Sequence, residues 1–390
     1  LQLKKFLKKI LKHYYFFYLY VKLLFSKKNR GKNMQKKGKL FRNFILFILL
    51  IIVTFSVLLN GEDITQILNI LGSVKLQYVL IGVLCMAIYI SFEAINIGRT
   101  LKKLNEKSSF IKNLKYALIG FFFSAITPAA SGGQPMQVYY MYKDNIQPSN
   151  ATLALLINLT SMQIVTIGFA LISLCFNYQY LNRVLLICFV IGILLNLTAL
   201  VLLLVAIISK RLSRWLINFA VKVLKFFGIR NIEGKKEKLE TQLEQYQESA
   251  IYIKKNRGIM LKTLLTTCVQ FLTYYSITYW TYKALGMSGA NILQITSMQS
   301  VLYATVSGIP SPGAVGVTEG AFTEIFRNIY PGAMMSSAIL LNRGINFYLF
   351  VIFSGVITIV NHIKSDYACE EKNDIQENII DEKMEEPTDK

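Results

Sequence analysis

Residues 126–136, ITPAASGGQPM, interrupt a hydrophobic segment, and this break limits the possible fold more than any other feature of the chain. The run leading in, residues 114–126, carries no charge except Lys115. Then come Pro128, Gly132, Gly133 and Pro135, with Thr127, Ser131 and Gln134 among them. Proline removes backbone donors, and glycine frees the backbone to turn. A spanning helix cannot pass such a sequence unbroken. Lipid does not tolerate irregular backbone unless protein or water satisfies it. The break is therefore expected to be buried in protein or to line a polar cavity that the rest of the chain builds.

Composition sets the class. Of 390 residues, 53% are hydrophobic and 17% charged, with a mean hydropathy of +0.42. Several uncharged runs approach or exceed the ~20 residues that cross a bilayer. This predicts an all-α polytopic protein of the bacterial cell membrane. The net charge of +21 is not a nucleic-acid signature, and no nucleic-acid partner is expected. Residues 1–42 carry 14 Lys/Arg and no acid, and residues 209–257 carry 12 Lys/Arg against five Glu. The tail after His362 is the reverse, with ten Asp/Glu and four Lys. Basic blocks beside spans are what the positive-inside rule reads. Cys85, Cys175, Cys188 and Cys268 lie in or near apolar runs without CxxC spacing, as small core residues do. With only His13 and His362, a histidine metal site or a Ser-His-Asp triad is not expected. No metal and no cofactor are expected.

The spans follow in order. Residues 1–40 form a basic N-terminal segment. Met34 opens a second plausible start, so residues 1–33 read either as an upstream start-site error or as a basic interfacial helix. Residues 41–59 form the first span, with a basic flank that places the N-terminus in the cytoplasm. Residues 76–98 return, ending at Arg99, Lys102 and Lys103. Glu93 in the last turns is read first as snorkelling or pairing with Arg99, and second as facing the cavity. Residues 114–127 then make about 21 Å of helix, short of the ~30 Å core, so the first break forms a re-entrant hairpin with residues 136–142. Residues 151–176 and 184–208 are further spans. Asn158 and Ser161 in the former are read first as interhelical hydrogen bonds and second as a polar cavity wall. Residues 209–257 form a cytoplasmic insert with an amphipathic helix, and residues 259–285 a span whose tyrosines and Trp280 suggest an interfacial belt. The last span is 336–363, and residues 364–390 are an acidic disordered tail with cytoplasmic C-terminus. The membrane domain is thus 41–363.

A second break follows residues 292–308. It reads IPSPGAVGVTEG, with Pro310, Pro312, Gly313, Gly316, Glu319 and Gly320, and a short return over residues 317–329. Treating both breaks as hairpins gives six full spans and keeps the basic insert inside. Two Gly/Pro-broken segments in corresponding halves point to an inverted repeat with a transport site near the midplane. The N-termini of broken helices offer free N–H groups and a positive dipole end, which suit a phosphate. Arg343 in the last span is expected either to bind a phosphate bidentately or to pair with Glu319 or Glu324. Glu319 is expected either to cap the return helix or to take a substrate ammonium or proton.

The stretches TPAASGGQPMQVYYMYKDNI, GIPSPGAVGVTEGAF and ILLNRGINFYLF resemble the signatures of the flippase-like transmembrane family. That family includes the membrane region of lysylphosphatidylglycerol synthase, the multiple peptide resistance factor. The resemblance spans roughly residues 40–363. It implies a protein that moves anionic or aminoacylated phospholipid between leaflets, with the bilayer and its anionic lipid as partners. It also implies the site residues Thr127, Pro128, Ser131, Gly132, Gly133, Gln134, Pro135, Pro312, Gly313, Gly316, Glu319 and Arg343. The alternative implied by the family name is phosphatidylglycerol lysyltransferase, which would need a separate synthase domain, since the stretch after Ile363 is an acidic segment of 27 residues. A small-solute transporter is the third reading, and a homo-oligomer is compatible with all three.

Overall fold

The computed structural model describes residues 64–127, 130–178, 183–208, 251, 255–309 and 312–362. The basic N-terminal segment, the expected first span, nearly all of the amphipathic insert and the acidic tail lie outside the described residues. So do Pro128, Pro310 and Ser311.

The described chain is helical and contains no strand. α1 (Ile64–Gly72) leads to α2 (Leu76–Lys103). α3 (Phe110–Ile126) and α4 (Gly133–Lys143) form the first hairpin, followed by α5 (Pro148–Asn177). α6 (Arg183–Ile208) and α7 (Arg257–Ala284) come next. α8 (Ile292–Val306) and α9 (Val317–Ile325) form the second hairpin. α10 begins at Gly332–Arg343, runs through a π-helical turn at Gly344–Tyr348 and continues to His362. Among the described residues four helices are long and apolar enough to cross a membrane: α2, α5, α6 over Leu185–Leu204 and α10 over Met334–His362. α7 is as long but more polar, because Thr263, Thr267, Gln270, Thr278 and Thr281 all lie on its buried side. The protein is an all-α, multi-pass membrane protein.

The order span, hairpin, span occurs twice, as α2, α3/α4, α5 and as α7, α8/α9, α10. α2 and α7 form the most extensive helix pair of the bundle. They run antiparallel: the Lys75 amide donates to the Ala284 carbonyl at one end, and Arg99 meets Thr263 and Thr266 at the other. An antiparallel central pair is what a repeat related by an axis in the membrane plane requires. The hairpins cross over between repeats. α8 packs on α5, while α3 packs on α10, where Phe122 lies against Gly355.

The two hairpins are built alike. Each begins with a side-chain N-cap: Ser109 accepts from the Lys112 amide, and Asn291 from the Gln294 amide at 2.7 Å. Each break places an alanine in the left-handed region three residues before the return helix, Ala130 at φ 52° and Ala314 at φ 51°. A non-glycine residue rarely adopts this conformation, and it marks a turn held by its surroundings. Each hairpin has its own apolar core. Ile97, Ile119, Phe123 and Met141 surround the first, and Phe189, Met298, Phe322 and Phe326 the second.

Two expectations about side chains are corrected. The aromatics of α7 divide between the bundle interior and its surface, with Tyr274, Tyr279 and Trp280 only partly buried. Tyr275 and Tyr282 are buried, and Tyr275 packs edge-on against Phe169, Phe271 and Tyr303. Nor do Asn158 and Ser161 bond between helices. Ser161 donates to the Ile157 carbonyl and Asn158 to the Met162 sulfur, both within α5. In a helix interior a serine finds the carbonyl one turn back before it finds a neighbour.

Candidate functional site

The second break is organised by one buried ion pair. Arg343, at the end of the regular part of α10, donates from Nε to Glu319 Oε1 at 2.9 Å. Both side chains are about 5% exposed. Arg343 also donates from Nη2 to the Gly313 carbonyl at 2.9 Å. Glu319 Oε2 accepts from the Gly316 amide at 2.6 Å, which caps the first turn of α9. Tyr348, one turn beyond Arg343, hydrogen-bonds with both members of the pair. The guanidinium lies 4.1 Å from the centre of the Phe347 ring. A π-helical turn begins at the residue after Arg343, a distortion that often marks functional positions in helices.

Glycine is required here by two close approaches. Gly313 has φ 57°, and a Cβ added to it would sit 2.2 Å from Phe347 Cζ. In the first break, a Cβ on Gly133 would lie 2.1 Å from Ser124 Oγ and 2.8 Å from the Gly120 carbonyl. At Gly133, then, α4 passes close to α3. Helix α4 starts at Gly133, so Gly133, Gln134 and Pro135 occupy its first turn rather than the irregular stretch predicted from the sequence. Proline is tolerated there because first-turn amides have no helical partner. Thr127 closes the turn. It donates to the Phe123 carbonyl and accepts from the Gly132 amide at 2.9 Å. Ser131 and Pro135 are exposed, and Pro312 is buried.

The structure gathers the expected residues into two groups. Pro312, Gly313, Gly316, Glu319 and Arg343 form one, and Thr127, Gly132 and Gly133 the other. The groups approach each other through α3, which contacts the short turn Pro312–Ala314. Val315 shares a buried cluster with Phe122, Ile126 and Phe347, and the Phe121 and Phe347 rings are 6.2 Å apart.

Glu93 does not pair with Arg99. It accepts from Gln137 Nε2 of α4 at 3.1 Å, and the same nitrogen donates to the Tyr116 carbonyl at 3.2 Å. Gln137 is buried and ties the first hairpin to α2. Polar residues outside the expected site group also pair in the second half. Thr278 donates to Gln299, and Asn342, next to Arg343, accepts from Thr278 and Thr281. Asn196 of α6 donates to the Ala304 carbonyl and to Ser307, near the end of α8. A glutamine or asparagine inside an apolar run was the available signal for these contacts. Replacing Gln137 by leucine should leave Glu93 unpaired and destabilise the fold by about 1–3 kcal/mol. Glu93→Gln keeps the bond and should be close to neutral. Thermal unfolding of the detergent-solubilised protein reads the contrast.

Residues 44–354 match the family described as the lysylphosphatidylglycerol synthase TM region. A UPF0104 membrane protein of Pyrococcus horikoshii is 23% identical over 331 residues, which cover 81% of this chain and 96% of that protein. The match includes both broken hairpins, the antiparallel pair α2/α7 and Arg343, and the chain therefore belongs to the lysylphosphatidylglycerol synthase TM-region family.

Proposed function

We propose that this protein translocates anionic or aminoacylated phospholipid, of the lysylphosphatidylglycerol class, between the leaflets of the cell membrane. One observation carries the reading: the first hairpin packs through Phe121 and Ile126 beside the second break, whose turn is tied to the buried Arg343. Arg343 presents a planar fork suited to a phosphate, and its present partners, a carboxylate and a backbone carbonyl, are acceptors that a phosphate can replace. Glu319, once released, is placed to balance the ammonium of an aminoacyl head. Ser131 and Gln134 at the first break offer hydroxyl and amide groups to the same head, with Thr127 holding the turn that carries them, while the acyl chains stay in lipid. The basic ends of α2 and α7 face the cytoplasm under the positive-inside rule, and so do both termini.

Reconstitution into vesicles carrying a labelled phosphatidylglycerol tests this. Label on the inner leaflet should become accessible to an external quencher at least ~10-fold faster than in protein-free vesicles, a barrier difference of about 1.4 kcal/mol. Equal rates with and without protein reject the proposal. Uptake of a soluble solute without lipid exchange would favour a small-solute transporter instead.

A further inference from the structure

Arg99 sits in the antiparallel seam between α2 and α7, far along the chain from the Arg343 site. Its Nη1 is committed to three neutral oxygens: Asn96 Oδ1 at 3.0 Å, Thr263 Oγ1 at 3.2 Å and Thr266 Oγ1 at 2.9 Å. Asn96 and Thr263 are themselves buried, and Thr266 donates in turn to Asn96. The guanidinium is therefore held in place rather than left to sweep through solvent. Its Nε and Nη2 edge has neither a hydrogen-bond partner nor a carboxylate among the described residues. That edge is the one that grips an oxyanion with two parallel bonds.

The seam around Arg99 changes character along its length. One turn toward the middle of the two helices, Ile95 on α2 and Val269, beside Thr266 on α7, are 38% and 50% exposed. One turn the other way stand Lys102 and Lys103 on α2 and Lys262 on α7. A cation with a free fork, apolar surface on one side and ammonium groups on the other match a phospholipid. Its phosphate would meet Arg99, its acyl chains the apolar ridge, and its negative charge the lysines. Glu106 does not compete, because its carboxylate accepts from Asn150 and the Gln147 amide. Asp144 is paired with Lys115 and Tyr116.

We propose that Arg99, fixed by Asn96, Thr263 and Thr266, is a peripheral binding site for the phosphate of an anionic phospholipid in the leaflet at the basic end of the bundle. The site adds to the proposed translocation path and stands independently of it. The shared chemistry is a phosphate oxyanion, which a lipid or free phosphate can supply.

Native mass spectrometry of the full chain, titrated with phosphatidylglycerol and separately with inorganic phosphate, tests the assignment. Arg99→Gln should weaken the tightest phosphatidylglycerol binding about tenfold. Arg99→Lys, which keeps the charge and loses the fork, should weaken it several-fold. Lys107→Gln, at an exposed position, should leave it unchanged. Should Arg99→Gln fail to fold, Arg99→Lys and Thr266→Val carry the test. Undiminished lipid binding in the folded variants overturns the site, and so does Arg99-dependent binding of inorganic phosphate with no preference for the lipid. Measuring lipid exchange on the same samples separates the two proposals. Exchange that persists while binding ignores Arg99 rejects only the peripheral site. Arg99-dependent binding without any exchange rejects only the translocation reading.

Discussion

Replacing Arg343 by alanine should abolish lipid translocation and destabilise the protein by about 3–5 kcal/mol. The cost comes from what is left behind. Glu319 is 4% exposed and would keep its charge in the protein interior without the guanidinium that balances it. The Gly313 carbonyl would lose its donor as well, so the second break would lose the side chain that ties its turn to α10. Stability and function should separate in a double variant. Arg343→Met with Glu319→Met removes both charges and should recover most of the stability, because isosteric apolar replacement of a buried pair is often neutral or better. Translocation should stay lost, because no cation remains to take the phosphate. Thermal unfolding and vesicle exchange on the same preparations read the two effects. A double variant that is stable and still translocates lipid would remove Arg343 from the mechanism.

Gly133→Ala should disable the first hairpin. The added methyl would stand 2.8 Å from the Gly120 carbonyl, and backbone cannot swing aside as a side chain can. α3 and α4 would have to separate, straining the bond from Gln137 to the Tyr116 carbonyl and with it the link to Glu93. Overpacking of this kind costs typically 1–3 kcal/mol, and translocation should fall more steeply than stability because the hairpin tip would shift. Gly168→Ala is the matched control. That glycine lies inside α5 with nothing within 4 Å of an added Cβ, so the change should be neutral or stabilise the helix by up to ~1 kcal/mol.

Much of this architecture is legible in the sequence, for identifiable reasons. Gly/Pro clusters inside apolar runs can hardly be anything but breaks, so both hairpins are visible without coordinates. Arg343 and Glu319 stand out because charge inside a span is costly. Their mutual pairing was one of two alternatives, and the structure realises it by placing residues 24 positions apart at 2.9 Å. What the sequence hides are partners set by tertiary contact. Glu93 lies six residues from Arg99 yet bonds to Gln137 instead, because α4 folds back against α2. The α7 tyrosines have the composition of an interfacial belt, but Tyr275 is buried among rings of α5 and α8, and Tyr274 meets Tyr89 of α2. Helical periodicity tells which residues share a face, and it does not tell which helix covers that face.

The central claim is that a lipid head passes where the two broken hairpins converge. A reversible cross-link tests it most directly. In a background lacking the native cysteines, Phe121→Cys and Phe347→Cys place thiols where two rings now lie 6.2 Å apart, joining α3 to α10 beside Arg343. Joining these cysteines with a short reducible bis-thiosulfonate should stop vesicle lipid exchange, and reduction should restore it to the uncross-linked double variant's rate. Exchange that continues undiminished in fully cross-linked protein would contradict the account.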